Sequence, residues 1–398
     1  MDCLEPSSKR LVLALCSASG FIDYLGYGVI VPLLPIYATT LGASEVDLTL
    51  IFSSYAIVHL ASSLPFGYFS DRYGRRPFII SGILLLSASF AVFPLARSIP
   101  VLIFLRAIQG LAASLMWSSL SALVADIYTS ERGEKIGLFN AFTASGSVVG
   151  PAFGGTLAEV SFPLPFIAVA AASLTLGCYM AFRLRTLVVR VPSTPPLSAI
   201  RKVLSVRNVL FLFIGEVAIS SLYGAMEPLL PCYLSGRVAM SMAEIGLAIS
   251  VSSLSFTVLQ PFIGRLSDYY GRRTFIIPGF IILAASTALI PIASNTIQVY
   301  LVLCLTGAAS AIAFTPITPL VLDSLDEASL KNYGLTSSIF GIAWSSGYAT
   351  APITGGLVAA YLGISKLFLF QAAMLAAVGL LSTKILHEPK QYYDNTFS

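Results

Sequence analysis

Long apolar runs separated by short polar breaks set the pattern of this chain. Twelve of them approach or exceed the roughly 20 residues that carry a helix across a hydrocarbon core. They cover 11–39, 48–69, 77–96, 100–127, 136–159, 162–182, 209–234, 245–264, 274–293, 296–322, 335–362 and 367–385. Pro and Gly lie inside many of these runs, which counts against soluble helices but suits membrane spans, where neighbouring helices satisfy the freed backbone groups. The pattern predicts an all-α membrane protein of twelve spans. The first run is too long for a cleavable leader and ends in a Pro-rich stretch rather than a small-residue cleavage site, so it is expected to stay as a span.

Composition strengthens this reading. Of 398 residues, 56% are apolar and 11% charged, with mean hydropathy +0.85, where a soluble domain carries about 25% charged residues. The placement of charge is more informative than the net +4. Of 23 Lys and Arg residues, Arg106 lies in a span, Arg97, Arg237 and Lys366 lie in loops on one side, and the remaining 19 fall on the other. Basic loops mark the cytoplasmic side, so both termini are expected there, with the basic linker near anionic inner-leaflet lipid. The longest polar break, 183–207, divides the chain into a six-helix bundle over 1–184, a linker over 185–207 and a second bundle over 208–398. The five cysteines are scattered, without metal-ligand or disulfide spacing.

The two bundles repeat one another. Tyr27-Gly28 followed by Pro32-Leu-Leu-Pro35 recurs as Tyr223-Gly224 followed by Pro228-Leu-Leu-Pro231, at an offset of 196. Ser70-Asp71-Arg72-Tyr73-Gly74-Arg75-Arg76 recurs as Ser267-Asp268-Tyr269-Tyr270-Gly271-Arg272-Arg273, at 197, and GSVVGPAFGG from Gly146 recurs as GYATAPITGG from Gly347, at 201. An even number of spans separates the copies, so the halves run in parallel. Parallel repeats predict a pseudo-two-fold axis along the membrane normal and a substrate site near midplane where the halves meet.

These residues resemble the major facilitator superfamily. GYFSDRYGRR from Gly67 is similar to its loop between spans two and three, LRAIQG from Leu105 to its span-four motif, and GSVVGPAFGG to its span-five antiporter motif. Within the superfamily the pattern looks most like the twelve-span drug/proton antiporters, nearest the vesicular monoamine transporter branch. Asp23 ahead of Val31-Pro32-Leu-Leu-Pro35, and Ala225-Met226-Glu227-Pro228, carry that likeness. The chain departs from that branch at Ala311 and Gly341, where the relatives hold acids, and at Tyr55, where they hold lysine; a short connection, 42–48, replaces their long first loop. The resemblance implies proton-coupled antiport, with export of small organic cations, amines or drugs, here across a plasma (inner) membrane. It implies that Asp23 and Glu227 recognise the amine or carry the proton.

Ionisable groups in hydrocarbon are expensive and are functional candidates by default. The spans hold Asp23, His59, Arg106, Glu216 and Glu227. At about 1.5 Å per residue, Glu227 and Arg106 share a depth on the order of 10 Å from the external ends of their helices, forming an expected outer pair. Asp23 and His59 share the middle, and Glu216 lies on the cytoplasmic side of span seven, on nearly the same helix face as Glu227. A carboxylate taken out of water holds its proton more readily and can exchange it near neutral pH. A proton and a cationic cargo competing for one such group would give antiport. Arg106 has a second reading, pinning backbone carbonyls of a Pro-broken first span; His59 and Glu216 have a second reading as buried hydrogen-bonding groups; Glu227 could also sit in a static salt bridge with Arg106. Tyr24, Tyr27, Tyr55, Trp117, Asn140, Tyr223, Phe340 and Trp344 are candidate cavity walls, since aromatic faces attract organic cations.

The repeated loops suit a cytoplasmic latch between neighbouring spans that breaks and reforms during transport. Its expected parts are Gly67, Asp71, Arg72, Gly74, Arg75 and Arg76, with Asp268, Gly271, Arg272 and Arg273, joined by Asp126, Glu131 and Arg132 at the end of span four. Gly150 and Pro151 would let helices approach closely and bend span five. Several classes are excluded or disfavoured. No GxxxxGK[ST] phosphate loop, hydrolase constellation or metal-ligand cluster is visible, so the chain is expected to be neither an ATP-driven pump nor another enzyme, and to use no cofactor or metal. The expected partners are a small, cationic substrate, protons and the bilayer, with no nucleic acid and a monomeric state. Two rivals stay open: proton symport of a neutral or anionic solute such as a sugar, and a non-transporting sensor or scaffold.

Overall fold

The computed structural model describes residues 6–128, 132–184, 197–328 and 333–388. The expected latch residue Glu131 lies outside the described residues, as does the side chain of Arg132 and most of the linker, 185–196. The described chain is helical: α1 (Pro6–Thr40), α2 (Glu45–Tyr73), α3 (Arg75–Val92), α4 (Ile99–Ile127), α5 (Arg132–Val160), α6 (Leu164–Arg183), a short α7 (Leu197–Leu204), α8 (Arg207–Val238), α9 (Met242–Tyr270), α10 (Arg273–Leu289), α11 (Thr296–Phe314), α12 (Ile317–Glu327), α13 (Tyr333–Leu362) and α14 (Ile364–Ile385).

Local chemistry explains the boundaries. Ser44 and Asp47 form a reciprocal capping box that starts α2. Asn295 caps α11 by accepting the Gln298 N–H at 2.9 Å. The chain turns from α2 to α3 at Gly74 (φ +91°) and from α9 to α10 at Gly271 (φ +92°), backbone conformations that side chains resist. The span expected over 296–322 is divided instead into α11 and α12 at Thr315 and Pro316, because proline removes a helical donor and crowds the preceding turn. Part of the expected linker, Leu197–Leu204, is helix rather than polar coil.

Among the described residues eleven helices, with α11 and α12 counted together, are long and apolar enough to cross a membrane. The twelfth expected span, α13, is 30 residues long and is not among them, since Gly, Ser, Thr and Tyr dilute its apolar residues.

Packing divides the chain into two units, one comprising Met1–Pro192 and Ala239–Ser250, the other Ser193–Val238 and Val251–Ser398. The first turns of α9 join the first unit, where Ser250 Oγ accepts the Ala152 N–H at 3.0 Å. In the first unit α1 packs on α5, α3 on α4 and α3 on α6; in the second, α8 packs on α13, α10 on α11 and α10 on α14. These are the same partners, carried over by the sequence repeat.

The α1–α5 contact is made of glycine. A Cβ at Gly150 would lie 2.5 Å from Leu25 O, one at Gly154 2.8 Å from Val29 Cα, and one at Gly28 2.7 Å from Pro151 Cδ. In the second unit a Cβ at Gly224 would lie 3.1 Å from Tyr348 Cα and one at Gly355 3.0 Å from Ala225 Cβ. Close backbone approach through small residues is how helices gain dispersion energy in lipid, where no hydrophobic drive exists between them.

Candidate functional site

The first unit buries Asp23 on α1 at 5% exposure. Trp117 of α4 donates its indole N–H to Asp23 Oδ2 at 2.7 Å, a charge-assisted bond in the short range. The Tyr24 ring meets Trp117 edge-on at 5.3 Å, and Phe139 of α5 meets it at 6.0 Å. No basic side chain lies within ion-pairing distance of Asp23 among the described residues. The result is a carboxylate held by one aromatic donor, with its Oδ1 uncommitted, beside π faces. Such a group can take a proton or an organic cation.

Arg106 of α4 lies in the same unit, 1% exposed. Its guanidinium sits against the rings of Tyr27 (5.1 Å), Phe52 (5.1 Å) and Tyr55 (4.5 Å), and Nη1 donates to Gln109 Oε1 at 3.0 Å. Among the described residues it bonds no backbone carbonyl of α1. His59 lies flat over Tyr55, with ring centres 6.0 Å apart. The structure brings Asp23 to Trp117 and His59 to Tyr55, and does not bring Asp23 and His59 together. Asn140 is exposed on α5.

In the second unit Glu227 of α8 accepts the Tyr348 hydroxyl at 2.9 Å. Trp344 of α13 is the hub of an aromatic cluster, with Tyr348 at 5.2 Å, Phe314 at 5.6 Å and Tyr223 at 6.4 Å. Tyr223 donates to Ser310 Oγ at 2.8 Å. Phe340 is buried against Phe213. Glu216 is 5% exposed. Arg106 and Glu227 belong to different units. Tyr348 and Gln109 were not among the residues singled out from sequence, although each stands inside a quoted motif.

The repeated loops build matching clusters. In the first unit Arg75 pairs with Asp71 at 2.5 Å and donates Nε to Asp126 Oδ2 at 2.8 Å, while Arg76 donates to Ala181 O at 2.5 Å. In the second, Arg272 lies 3.4 Å from Asp268 and 2.8 Å from Asp323, the latter an ion pair without the alignment of a hydrogen bond. Arg273 donates to Thr383 O at 2.6 Å. Arg72 stands apart, exposed over the Tyr73 ring, and a Cβ added at Gly67 would come no nearer than 3.9 Å to the side chain of Ser118 on α4. Asp323 is the residue that sequence reasoning missed, and the signal was present: it follows Asp126 by the same 197 residues as the loops.

One feature has no counterpart in the first unit among the described residues. Glu388, beyond α14, accepts the backbone N–H groups of Arg272 (2.8 Å) and Arg273 (3.0 Å), capping α10 from the far end of the unit. Buried Asn208 donates to Ser324 Oγ and His387 O, both at 2.9 Å, and so holds the same segment.

Comparison with known proteins agrees with this architecture. The family model described as the Major Facilitator Superfamily matches residues 16–237 and 212–396. The chain is 25% identical over 345 residues to the quinolone resistance protein NorA of Staphylococcus aureus, covering 84% of this chain and 87% of NorA. It is 27% identical over 378 residues to a probable vesicular acetylcholine transporter-B of Danio rerio, covering 91% of this chain and 77% of that one. In fold it is similar to a bacterial homologue of the human lysosomal transporter Spinster (TM-score 0.79, 13% identity, 99% of this chain and 100% of that chain). The nucleoside transporter NupG is also similar (TM-score 0.77, 12% identity, 94% and 100%). Matched along nearly its whole length, the chain belongs to the major facilitator superfamily, and is a multi-pass membrane transporter rather than an enzyme.

Proposed function

We propose that this chain is a secondary antiporter that exports small organic cations, amines or drugs in exchange for protons, by alternating access. The observation that carries the reading is Asp23: a carboxylate buried in a transmembrane helix, bonded by Trp117 and flanked by Tyr24, with no basic side chain within ion-pairing distance among the described residues. A buried acid outside any ion pair is suited to taking up a proton or a cationic cargo in turn. Glu227, with Tyr348 and the Trp344 cluster, supplies a second acid-and-aromatic group in the other unit. Likeness to proteins named for quinolone resistance and vesicular acetylcholine transport supports a drug-like or amine cargo.

In the cycle we propose, cargo binds the ionised acids from the cytoplasm, the arginine–carboxylate latches of the two repeated loops exchange partners as the halves move, and protons from outside displace the cargo. In this reading the excess of basic residues in one set of loops supports cytoplasmic termini, with the protein in a plasma membrane and working as a monomer. The test is uptake into proteoliposomes with an imposed pH gradient, screening organic cations against sugars. Cation flux should follow the gradient in the wild type and be lost in Asp23→Asn and Glu227→Gln. Flux that ignores the gradient, or survives both changes, rules the mechanism out.

A further inference from the structure

Arg106 presents a bonding edge that nothing in the chain fills. Its Nη1 is committed to Gln109, but Nε and Nη2 are buried without a hydrogen-bond partner, and Gln109 Nε2 beside them is equally unpartnered. Of the arginines described, it alone has two such nitrogens. Among the described residues no carboxylate lies within ion-pairing distance, and the rings of Tyr27, Phe52 and Tyr55 occupy the space around the guanidinium.

The identity of the two nitrogens matters. Nε–H and Nη2–H leave one edge of the guanidinium nearly parallel, the spacing that meets both oxygens of a carboxylate at once. Buried donors are almost always satisfied, and cation–π contact compensates charge without satisfying N–H groups. A second, amide N–H beside the fork adds a donor and no negative charge, so the cluster is complementary to a planar monoanion. A purely structural arginine would spend these donors on backbone carbonyls, and this one does not.

We propose that the Nε/Nη2 edge of Arg106, with Gln109 Nε2, receives a carboxylate carried by the cargo. The preferred cargo is then a zwitterion, its ammonium for Asp23 and its carboxylate for Arg106. This rests on the amine-transport reading above. At 1% exposure the edge is reached only when Tyr27, Phe52 or Tyr55 turns aside.

The experiment uses the full chain in proteoliposomes with a pH gradient and a panel of radiolabelled aromatic amines, each as its free amino acid and as its methyl ester: phenylalanine, tyrosine, tryptophan and 4-aminomethylbenzoic acid. The wild type should export an acid over its ester. In Arg106→Lys, which keeps the charge and loses the fork, the acid-to-ester ratio should fall roughly tenfold, the scale of one hydrogen bond to a charged group. Gln109→Leu should lower the same ratio less, and guards against a misfolded lysine variant. Esters crossing with the gradient while no acid does, or acid and ester losing flux equally in both variants, overturns the fork and leaves cation antiport standing; the equal loss assigns the edge to the chain's own Asp23 or to structure. If no member of any pair follows the gradient, the amine-transport reading fails for this panel and the zwitterion inference falls with it.

Discussion

A single methyl group placed at two points of α5 should change stability in opposite directions. At Gly150 an added Cβ would stand 2.5 Å from Leu25 O and 3.0 Å from Gly28 Cα. Ordinary contact begins at 3.4 Å, so the deficit against the carbonyl is about 0.9 Å, and both obstacles are backbone that cannot swing aside. Gly150→Ala therefore forces α1 and α5 apart along their whole contact, and overpacking of this kind costs about 1–3 kcal/mol. At Gly137, thirteen residues earlier on the same helix and exposed, an added Cβ meets nothing within 4 Å. There the substitution removes only glycine's backbone freedom, and should stabilise by up to about 1 kcal/mol. Both variants, purified in the same detergent, would be compared by thermal unfolding monitored through size-exclusion recovery. Loss of melting temperature in Gly150→Ala with a neutral or raised value in Gly137→Ala is the expected result. Equal behaviour of the two would refute the claim that α1 and α5 meet backbone to backbone.

The remaining predictions concern the repeated loops. Arg75 and Asp126 are both largely buried (side chains 8% and 14% exposed), so a double-mutant cycle of Arg75→Ala with Asp126→Ala, read by the same melts, should return a coupling of about 1–3 kcal/mol, above the 0–1 expected of an exposed pair; additivity within about 0.5 kcal/mol removes the pair from the latch. Glu388→Gln keeps the shape but loses the charge that holds the Arg272 and Arg273 amides. Their hydrogen exchange, read by mass spectrometry, should quicken roughly tenfold for a loss of about 1.5 kcal/mol, while Arg75 and Arg76 amides do not change; unchanged exchange at 272 and 273 would show that the cap does not hold the turn.

Much of this was legible because membrane physics leaves few options. Hydropathy fixed the spans, and the offsets of 196, 197 and 201 identified two like bundles before any fold was seen. What stayed hidden depended on direction rather than depth. Counting about 1.5 Å per residue puts Asp23 level with His59, but helix rotation turns Asp23 toward Trp117 of α4, while His59 stacks on Tyr55, one turn before it on its own helix. Depth says how far along an axis a residue lies; only packing says which neighbour it faces. The break at Pro316 illustrates a related limit, since Pro32, Pro35, Pro228 and Pro231 all sit inside unbroken helices. Whether proline bends or ends a span depends on which neighbour can satisfy the freed carbonyl. Asp323 is legible only when the repeat offset of 197 is carried from the loops to Asp126, the acid that the first loop's arginine meets.

The buckle at Glu388 separates ancestry from mechanics. Two turns that share glycines, arginines and aspartates are fastened differently: among the described residues the first is tied to Asp126 of α4 and Ala181 of α6, while the second is also tied by Glu388, beyond α14. Asp71 is shielded where Asp268 stands in the open (20% against 64% side-chain exposure). The repeated turns are therefore held unequally, and effects measured on one copy should not be transferred to its sibling.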